Sequence, residues 1–316
     1  MTEFSISGVE TYWWLPAVVA FGISFFTSTG GVSGAFLLLP FQVSILGFTS
    51  PAVSSTNLVY NIVAIPGGVY RYIREDRMVW PLASMTIIGT LPGIFLGAII
   101  RINYLPDPSA FKLFAGLVLL YLGVRLVLSI FWHSDARNST ASSDRLLTNQ
   151  KKVGGSSHPA LSAFSVTDTK FSLRRIEYSF EGHRYSASSP GILLLSFIVG
   201  IIGGTYGIGG GAIIAPFFVA VFGLPVYTVA GAALIGTFVT SIAGVLFYSI
   251  VAPYYADSGL AIRPDWPLGA LFGLGGFFGI YCGARIQKYM PEKVIKFILV
   301  VCILFVAGKY IIGYFQ

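Results

Sequence analysis

The sequence predicts an all-α polytopic membrane protein built from two inverted repeats, each of about five apolar segments with interrupted or re-entrant helices. Three observations predict it. The chain is 55% hydrophobic and only 10% charged, where a soluble domain carries about 25% charged residues, and its uncharged apolar runs are long enough to cross a bilayer. Residues 199–217, VGIIGGTYGIGGGAIIAPF, place six glycines in the nine positions Gly203–Gly211 between two apolar runs. The same pattern stands 176 residues earlier, with Gly31-Val32-Ser33-Gly34 opposite Gly207-Ile208-Gly209-Gly210, Pro40 opposite Pro216 and Gly47 opposite Gly223.

Taken in order, segment A covers about Tyr12–Thr29 and segment B about Ser33–Leu46, short for a full crossing. Segment C, about Pro51–Tyr72, carries the polar group Ser54, Ser55, Thr56, Asn57 and Asn61. A charged loop leads to D, about Trp80–Ile100, whose Gly89, Gly93 and Gly97 recur every fourth residue. Small residues at that spacing let helices pack closely. E covers about Ala110–Phe131 and closes a first unit, 12–131. Residues 132–190 are rich in Ser, Thr, Asn and charge and read as a soluble, partly disordered insert, within which 172–186 suits a short hairpin around Glu181-Gly182 or, equally, an amphipathic surface strand. The second unit, 191–315, repeats the order: A′ about Ile192–Tyr206, B′ about Gly210–Phe222, C′ about Val226–Val251, D′ about Trp266–Ile286 and E′ about Val294–Tyr314. Trp80-Pro81 recurs as Trp266-Pro267, so the repeat extends beyond the glycine breaks.

Basic residues orient the chain. The C–D loop holds Arg71, Arg74 and Arg77, the insert holds eight Lys and Arg, and the D′–E′ connection holds Arg285, Lys288, Lys293 and Lys296, while the C′–D′ loop holds only Arg263. Excess Lys and Arg mark cytoplasmic loops. The expectation is a multi-pass protein of the cell (inner) membrane with a cytoplasmic insert and both termini extracytoplasmic. Equivalent loops then face opposite sides, which inverts the repeats. Residues 1–11, without Lys or Arg, do not resemble the n-region of a cleaved signal peptide.

Interrupted helices in inverted repeats point to a transporter. Backbone N–H groups freed at the start of a second half-helix favour an anion. The candidate substrate-binding residues are therefore the breaks themselves, Ser33, Gly34, Gly209, Gly210 and Gly211, with Tyr206 beside the second. The polar positions Asn57 and Asn61 of C join them, with Thr237, Thr240 and Ser241 of C′. Asn61 lies opposite Thr237, but Asn57 lies opposite Ala233, so the repeats differ at that position. The same side chains equally suit hydrogen bonds between packed helices.

Other chemistries find little support. No Asp or Glu stands at the centre of an apolar segment, which argues against a carboxylate relay. The two cysteines, Cys282 and Cys302, have no metal spacing, and the glycine run lacks the βαβ setting and the Lys-Ser/Thr of nucleotide loops. No catalytic residue, metal, cofactor or nucleic-acid partner is expected. The expected partners are a small organic or inorganic anion and the lipid bilayer, with a membrane potential or proton gradient as driving force.

On GGTYGIGGGAIIAPFFVAVFGLPVYTVAGAALIGTF (203–238), TSTGGVSGAFLLLPFQVSILGFTSPAVSSTN (27–57) and GIYCGARIQKYMP (279–291), the chain resembles the TauE/SafE sulfite exporter family of membrane permeases. The resemblance spans both repeats and omits the insert. It implies export of small sulfur-containing organic anions, such as sulfonates or sulfite, by alternating access between the repeats. Ser33 and Ala35 depart from the glycine pattern in the first half, so the two breaks are expected to differ in role. Two readings stand beside it: an inorganic sulfur anion (thiosulfate or sulfate) permease or anion channel, and a membrane receptor or scaffold protein.

Overall fold

A computed structural model describes residues 2–29, 33–74, 78–128, 166–180, 182–286 and 292–316. A short hairpin, β1 (Thr2–Phe4) and β2 (Val9–Thr11), precedes α1 (Leu15–Thr29), α2 (Ala35–Ser44), α3 (Ala52–Ala64), α4 (Pro66–Arg74) and α5 (Trp80–Asn103). Helix α6 covers Pro108–Leu128. Strands β3 (Thr167–Phe171), β4 (Arg175–Phe180) and β5 (His183–Ser188) lead into α7 (Ser189–Tyr206), α8 (Gly211–Phe222), α9 (Val226–Val251), α10 (Trp266–Ile286) and α11 (Glu292–Phe315). Among the described residues, six helices are long and apolar enough to cross a membrane: α5, α6, α7, α9, α10 and α11. The protein is an all-α polytopic membrane protein.

Glycine seams set the packing. A Cβ at Gly275, Gly279 or Gly283 of α10 would collide with the carbonyls of Ala17, Phe21 and Phe25 of α1. The numbers rise together, so α1 and α10 are parallel. Gly89, Gly93 and Gly97 of α5 press in the same way on Leu193, Phe197 and Ile201 of α7, again in parallel. Gly269 and Gly273 of α10 meet Val59 and Val63 of α3, while Gly236 and Gly244 of α9 meet Thr86 and Ile94 of α5. Without a hydrophobic drive between helices in lipid, this close backbone approach supplies the association.

The two sets of parallel helices run opposite ways. Gly244 of α9 packs on Leu58 of α3, and three residues earlier Ser241 meets Asn61, three residues later on α3. Thus α3 and α9 are antiparallel, and so are the paired equivalents α1 with α7 and α10 with α5. Each repeat lends its first helix to the other: α1 lies on α10, and α7 lies on α5. The inversion read from loop charges is present in the packing itself.

At 15 residues, α1 is about 22 Å long, less than the roughly 30 Å of hydrocarbon. It enters from one face, breaks, and α2 returns toward that face, where Ala52 N–H of α3 meets Ala261 O at 2.9 Å. On the same face Ser7 Oγ donates to Asp265 Oδ2 at 2.8 Å, so the N-terminal hairpin sits over the start of α10. The α7–α8 pair enters and returns on the opposite face. There Gly231 of α9 lies against Tyr72 and Met78, and the hydroxyls of Tyr178 and Thr228 are 2.8 Å apart. The sheet and the flanks of the C–D loop therefore share one face; the N-terminal hairpin and residues 252–265 share the other.

Two local features differ from the expectation. Segment C is not one helix: Pro66, which has no N–H to give, ends α3 at Ala64 and opens α4. The hairpin expected within 172–186 is present as β4 and β5, closing at Gly182 with φ +77°, but β3 adds a third strand. Ile176, Tyr178 and Phe180 alternate along β4 and are buried, so this end of the insert has an apolar face of its own. Residues 132–165 and 181 of the insert, which was expected to be partly disordered, lie outside the described residues.

Candidate functional site

The second break starts as a helix end. Gly207 takes the left-handed conformation, φ +87°, and its N–H and that of Ile208 both return to Gly203 O, at 2.8 and 3.0 Å. Glycine accepts such a cap without steric cost. Gly209, φ +71°, turns the chain again, and α8 begins at Gly211. Its first intrahelical bond from beyond the turn is Ile214 N–H to Gly210 O, 3.2 Å. The N–H groups just before that point have no i−4 carbonyl, and the positive end of the helix dipole lies there.

Helix α3 holds this break in place. Ser54, Asn57 and Asn61, at spacings of three and four, share one helix face. They donate in succession to Thr205 O at 3.2 Å, Gly207 O at 3.0 Å and Ile208 O at 3.0 Å. The Asn57 nitrogen also donates to Ala35 O of the first break at 3.0 Å. One amide therefore ties the two breaks to each other. Tyr206 adds a second tie, its hydroxyl donating to Phe36 O at 2.8 Å.

Of the other expected residues, Ser33 Oγ receives the Ala35 N–H at 3.3 Å, and Gly34 sits where a Cβ would lie 2.6 Å from the Tyr60 hydroxyl. Residues 30–32 of that break, Gly31 and Val32 among them, lie outside the described residues. Gly209 would meet Thr237 Cγ2 at 2.8 Å, Gly210 would meet Thr90 Cγ2 at 2.6 Å, and Gly211 lies against Ala233 O and Thr237 Oγ1. Ser241 Oγ accepts from Asn61 Nδ2 at 3.3 Å. Thr237 and Thr240 return their hydroxyls to Ala233 O and Gly236 O on their own helix, at 2.9 and 2.7 Å. Asn57, Asn61, Tyr206, Thr237, Thr240 and Ser241 are all buried. The expected residues thus converge on one junction, and the donors of Asn57, Asn61, Tyr206, Thr237 and Thr240 are engaged by the protein's own carbonyls, Asn61 also by the Ser241 hydroxyl.

Sequence reasoning passed over Gln42, a buried polar residue two positions after Pro40 in an apolar half-helix. Its Nε2 donates to Asn57 Oδ1 at 3.3 Å. Tyr60, 2.8 Å from Ser24 Oγ, was also missed. Arg101, near the end of α5, is fully buried, gives Nη2 to Thr49 O at 3.0 Å and Nη1 to Leu105 O, and stacks on Phe111.

The description "Sulfite exporter TauE/SafE" belongs to the family model that matches residues 16–310. The chain belongs to the TauE/SafE sulfite exporter family. No curated protein and no solved structure matches it. Members of this family are membrane transporters of sulfite and related anions, and the match runs through both breaks and α3.

Proposed function

We propose that the chain is a secondary transporter that exports small sulfur-containing anions, sulfonates or sulfite, by alternating access between its inverted repeats, without enzymatic activity. One observation carries this reading: Asn57 Nδ2 bonds carbonyls of both breaks at once. A solute held beside that amide touches both re-entrant pairs, and these belong to halves of opposite direction. Rocking one pair against the other would open the junction first to one face and then to the other. The N–H groups at the starts of α2 and α8 supply the attraction for an anion. Charge-assisted hydrogen bonds contribute roughly 1.5–3 kcal/mol each, so a few of them offset dehydration without a fixed cation.

Among the described residues, the face bearing the sheet and the C–D flanks carries Arg74, Lys170, Arg174, Arg175 and Arg184, against Arg263 in the loop before α10 on the other, which supports a cytoplasmic insert and extracytoplasmic termini in the inner membrane. Residues 12–131 and 191–315 are then the moving repeats. An interior-negative potential favours export of an anion by about 2.3 kcal/mol per charge per 100 mV.

Counterflow of labelled sulfite, sulfoacetate and taurine in proteoliposomes tests the proposal. Exchange that depends on the same solute on both sides supports a carrier. Current without exchange supports the channel reading, and exchange of thiosulfate or sulfate alone supports the inorganic permease. Absence of any flux, with monodisperse protein, leaves the receptor or scaffold reading.

A further inference from the structure

The junction holds acceptors as well as donors. Asn57 Nδ2 gives its two hydrogens to Ala35 O and Gly207 O, so Asn57 Oδ1 must face a donor, and the Gln42 atom 3.3 Å away is its nitrogen. That fixes Gln42 Oε1. In the same way Asn61 Nδ2 donates to Ile208 O, which fixes Asn61 Oδ1. Turning either amide over would set oxygen against oxygen. Both oxygens belong to fully buried residues, and neither has a partner among the described residues. A buried amide oxygen left without a donor costs roughly 1–3 kcal/mol. Asn61 stands one helical turn from Asn57, on the face that meets the breaks.

Resting on the reading of this junction as the anion site, we infer that its solute is an oxyanion carrying its own hydrogen-bond donor: hydrogen sulfite rather than the sulfite dianion. The N–H groups at the helix starts meet the charged oxygens. The solute's hydroxyl donates to Gln42 Oε1 or Asn61 Oδ1. A dianion offers acceptors only and sets them against two amide oxygens. Among the described residues, no carboxylate, histidine, thiol or cationic side chain is hydrogen-bonded to either amide. α1, α2, α3, α7, α8 and α9 contain no Asp, Glu, His, Lys or Arg. The titratable groups on the elements packed around the two amides are the phenols of Tyr60, Tyr206, Tyr227, Tyr248, Tyr281, Tyr310 and Tyr314, the thiols of Cys282 and Cys302, Lys309 on α11, Arg285 near the end of α10 and Arg101 near the end of α5, and Glu292, Lys293 and Lys296 open α11.

The test titrates the purified intact protein with sulfite in sodium-free buffer, on the acid and alkaline sides of the second ionisation of sulfurous acid. Methanesulfonate serves as an oxyanion without a donor. The expected result is an apparent affinity that tracks the hydrogen sulfite fraction, falling about tenfold per pH unit on the alkaline side, with methanesulfonate at least tenfold weaker. Gln42→Met and Asn61→Ala should narrow that preference; if neither variant folds, the wild-type pH series decides alone. Equal affinity on both sides, with Asn61→Ala still weakening sulfite, overturns the inference and leaves the junction as the site. Sulfite affinity untouched by Asn61→Ala, or no sulfite binding at any pH, removes the site and the inference with it. A requirement for sodium overturns it by giving the two oxygens to a cation.

Discussion

The two breaks occupy equivalent positions in the repeats and are built in different ways. At the second, glycine backbone presses directly on neighbouring helices: Gly207 on Ser54, Gly209 on Thr237, Gly210 on Thr90 and Gly211 on Ala233. At the first, side chains take over. Ala35 replaces Gly211, and its carbonyl is held by Asn57, whose own counterpart in the second repeat is Ala233. The two exchanges compensate. Where the helix offers alanine, the break is glycine and backbone meets backbone; where the break is alanine, the helix offers an amide that bridges the added distance. The second break combines backbone packing with hydrogen bonds from α3, whereas at the first the Ala35 carbonyl is held by an amide and Gly34 meets only side-chain ends, so substitutions should separate them.

The largest effect is expected at Gly211. A Cβ there meets the Ala233 carbonyl, which is helix backbone and cannot turn aside. Overpacking typically costs about 1–3 kcal/mol, occasionally more, and Gly211→Ala should exceed that range. Transport should vanish and thermal unfolding should shift down by many degrees. At Gly34 the obstacles are the hydroxyls of Tyr60 and Ser24, at 2.6 and 2.9 Å, which are side-chain ends. Gly34→Ala should leave a folded protein with partial transport. Similar losses from both would erase the distinction between the breaks.

Asn57→Ala comes next. It strands Ala35 O, Gly207 O and the Gln42 amide together, each at roughly 1–3 kcal/mol if buried and unpaired. Counterflow should fall at least tenfold and thermal stability should drop, by less than for Gly211→Ala. Retained counterflow would mean that the breaks work without their shared amide. The smallest effect belongs to Ser33→Ala, because the 3.3 Å bond to Ala35 N–H is long and half-exposed. Less than a twofold change in transport is expected.

The comparison also explains what could be read from sequence. Inversion and helix seams were legible because they rest on glycine spacing and loop charge, which are properties of sequence order. The asymmetries at Asn57 and Ala233 and at Ala35 and Gly211 were both visible, but that they compensate each other was not, because that pairing exists only once α3 crosses both breaks. Gln42 was missed for the same reason: its meaning depends on which way the Asn57 amide turns. The N-terminal hairpin has strands of three residues, too short for a periodic signal, and it is anchored by Asp265, more than 250 residues away. Pro66 was a readable signal, followed by Gly67 and Gly68, yet the apolar run around it suggested one continuous helix.

Sidedness sharpens the comparison, since it decides which break opens to the cytoplasm. Single cysteines at Ser258 and Ser186, exposed on opposite faces, should differ in labelling by an impermeant maleimide on intact cells, with Ser258→Cys labelled and Ser186→Cys protected. Equal labelling would contradict the assigned orientation.

The central claim is that the anion is held where the two breaks meet. Its most direct test is isothermal titration of sulfite into purified wild-type protein and into Asn61→Ala and Thr237→Ala, one from each half of the junction, with monodisperse chromatography showing that each variant is folded. The account predicts affinity at least about tenfold weaker in both, equivalent to about 1.4 kcal/mol. Wild-type affinity in both variants would contradict it and reduce Asn61 and Thr237 to packing residues.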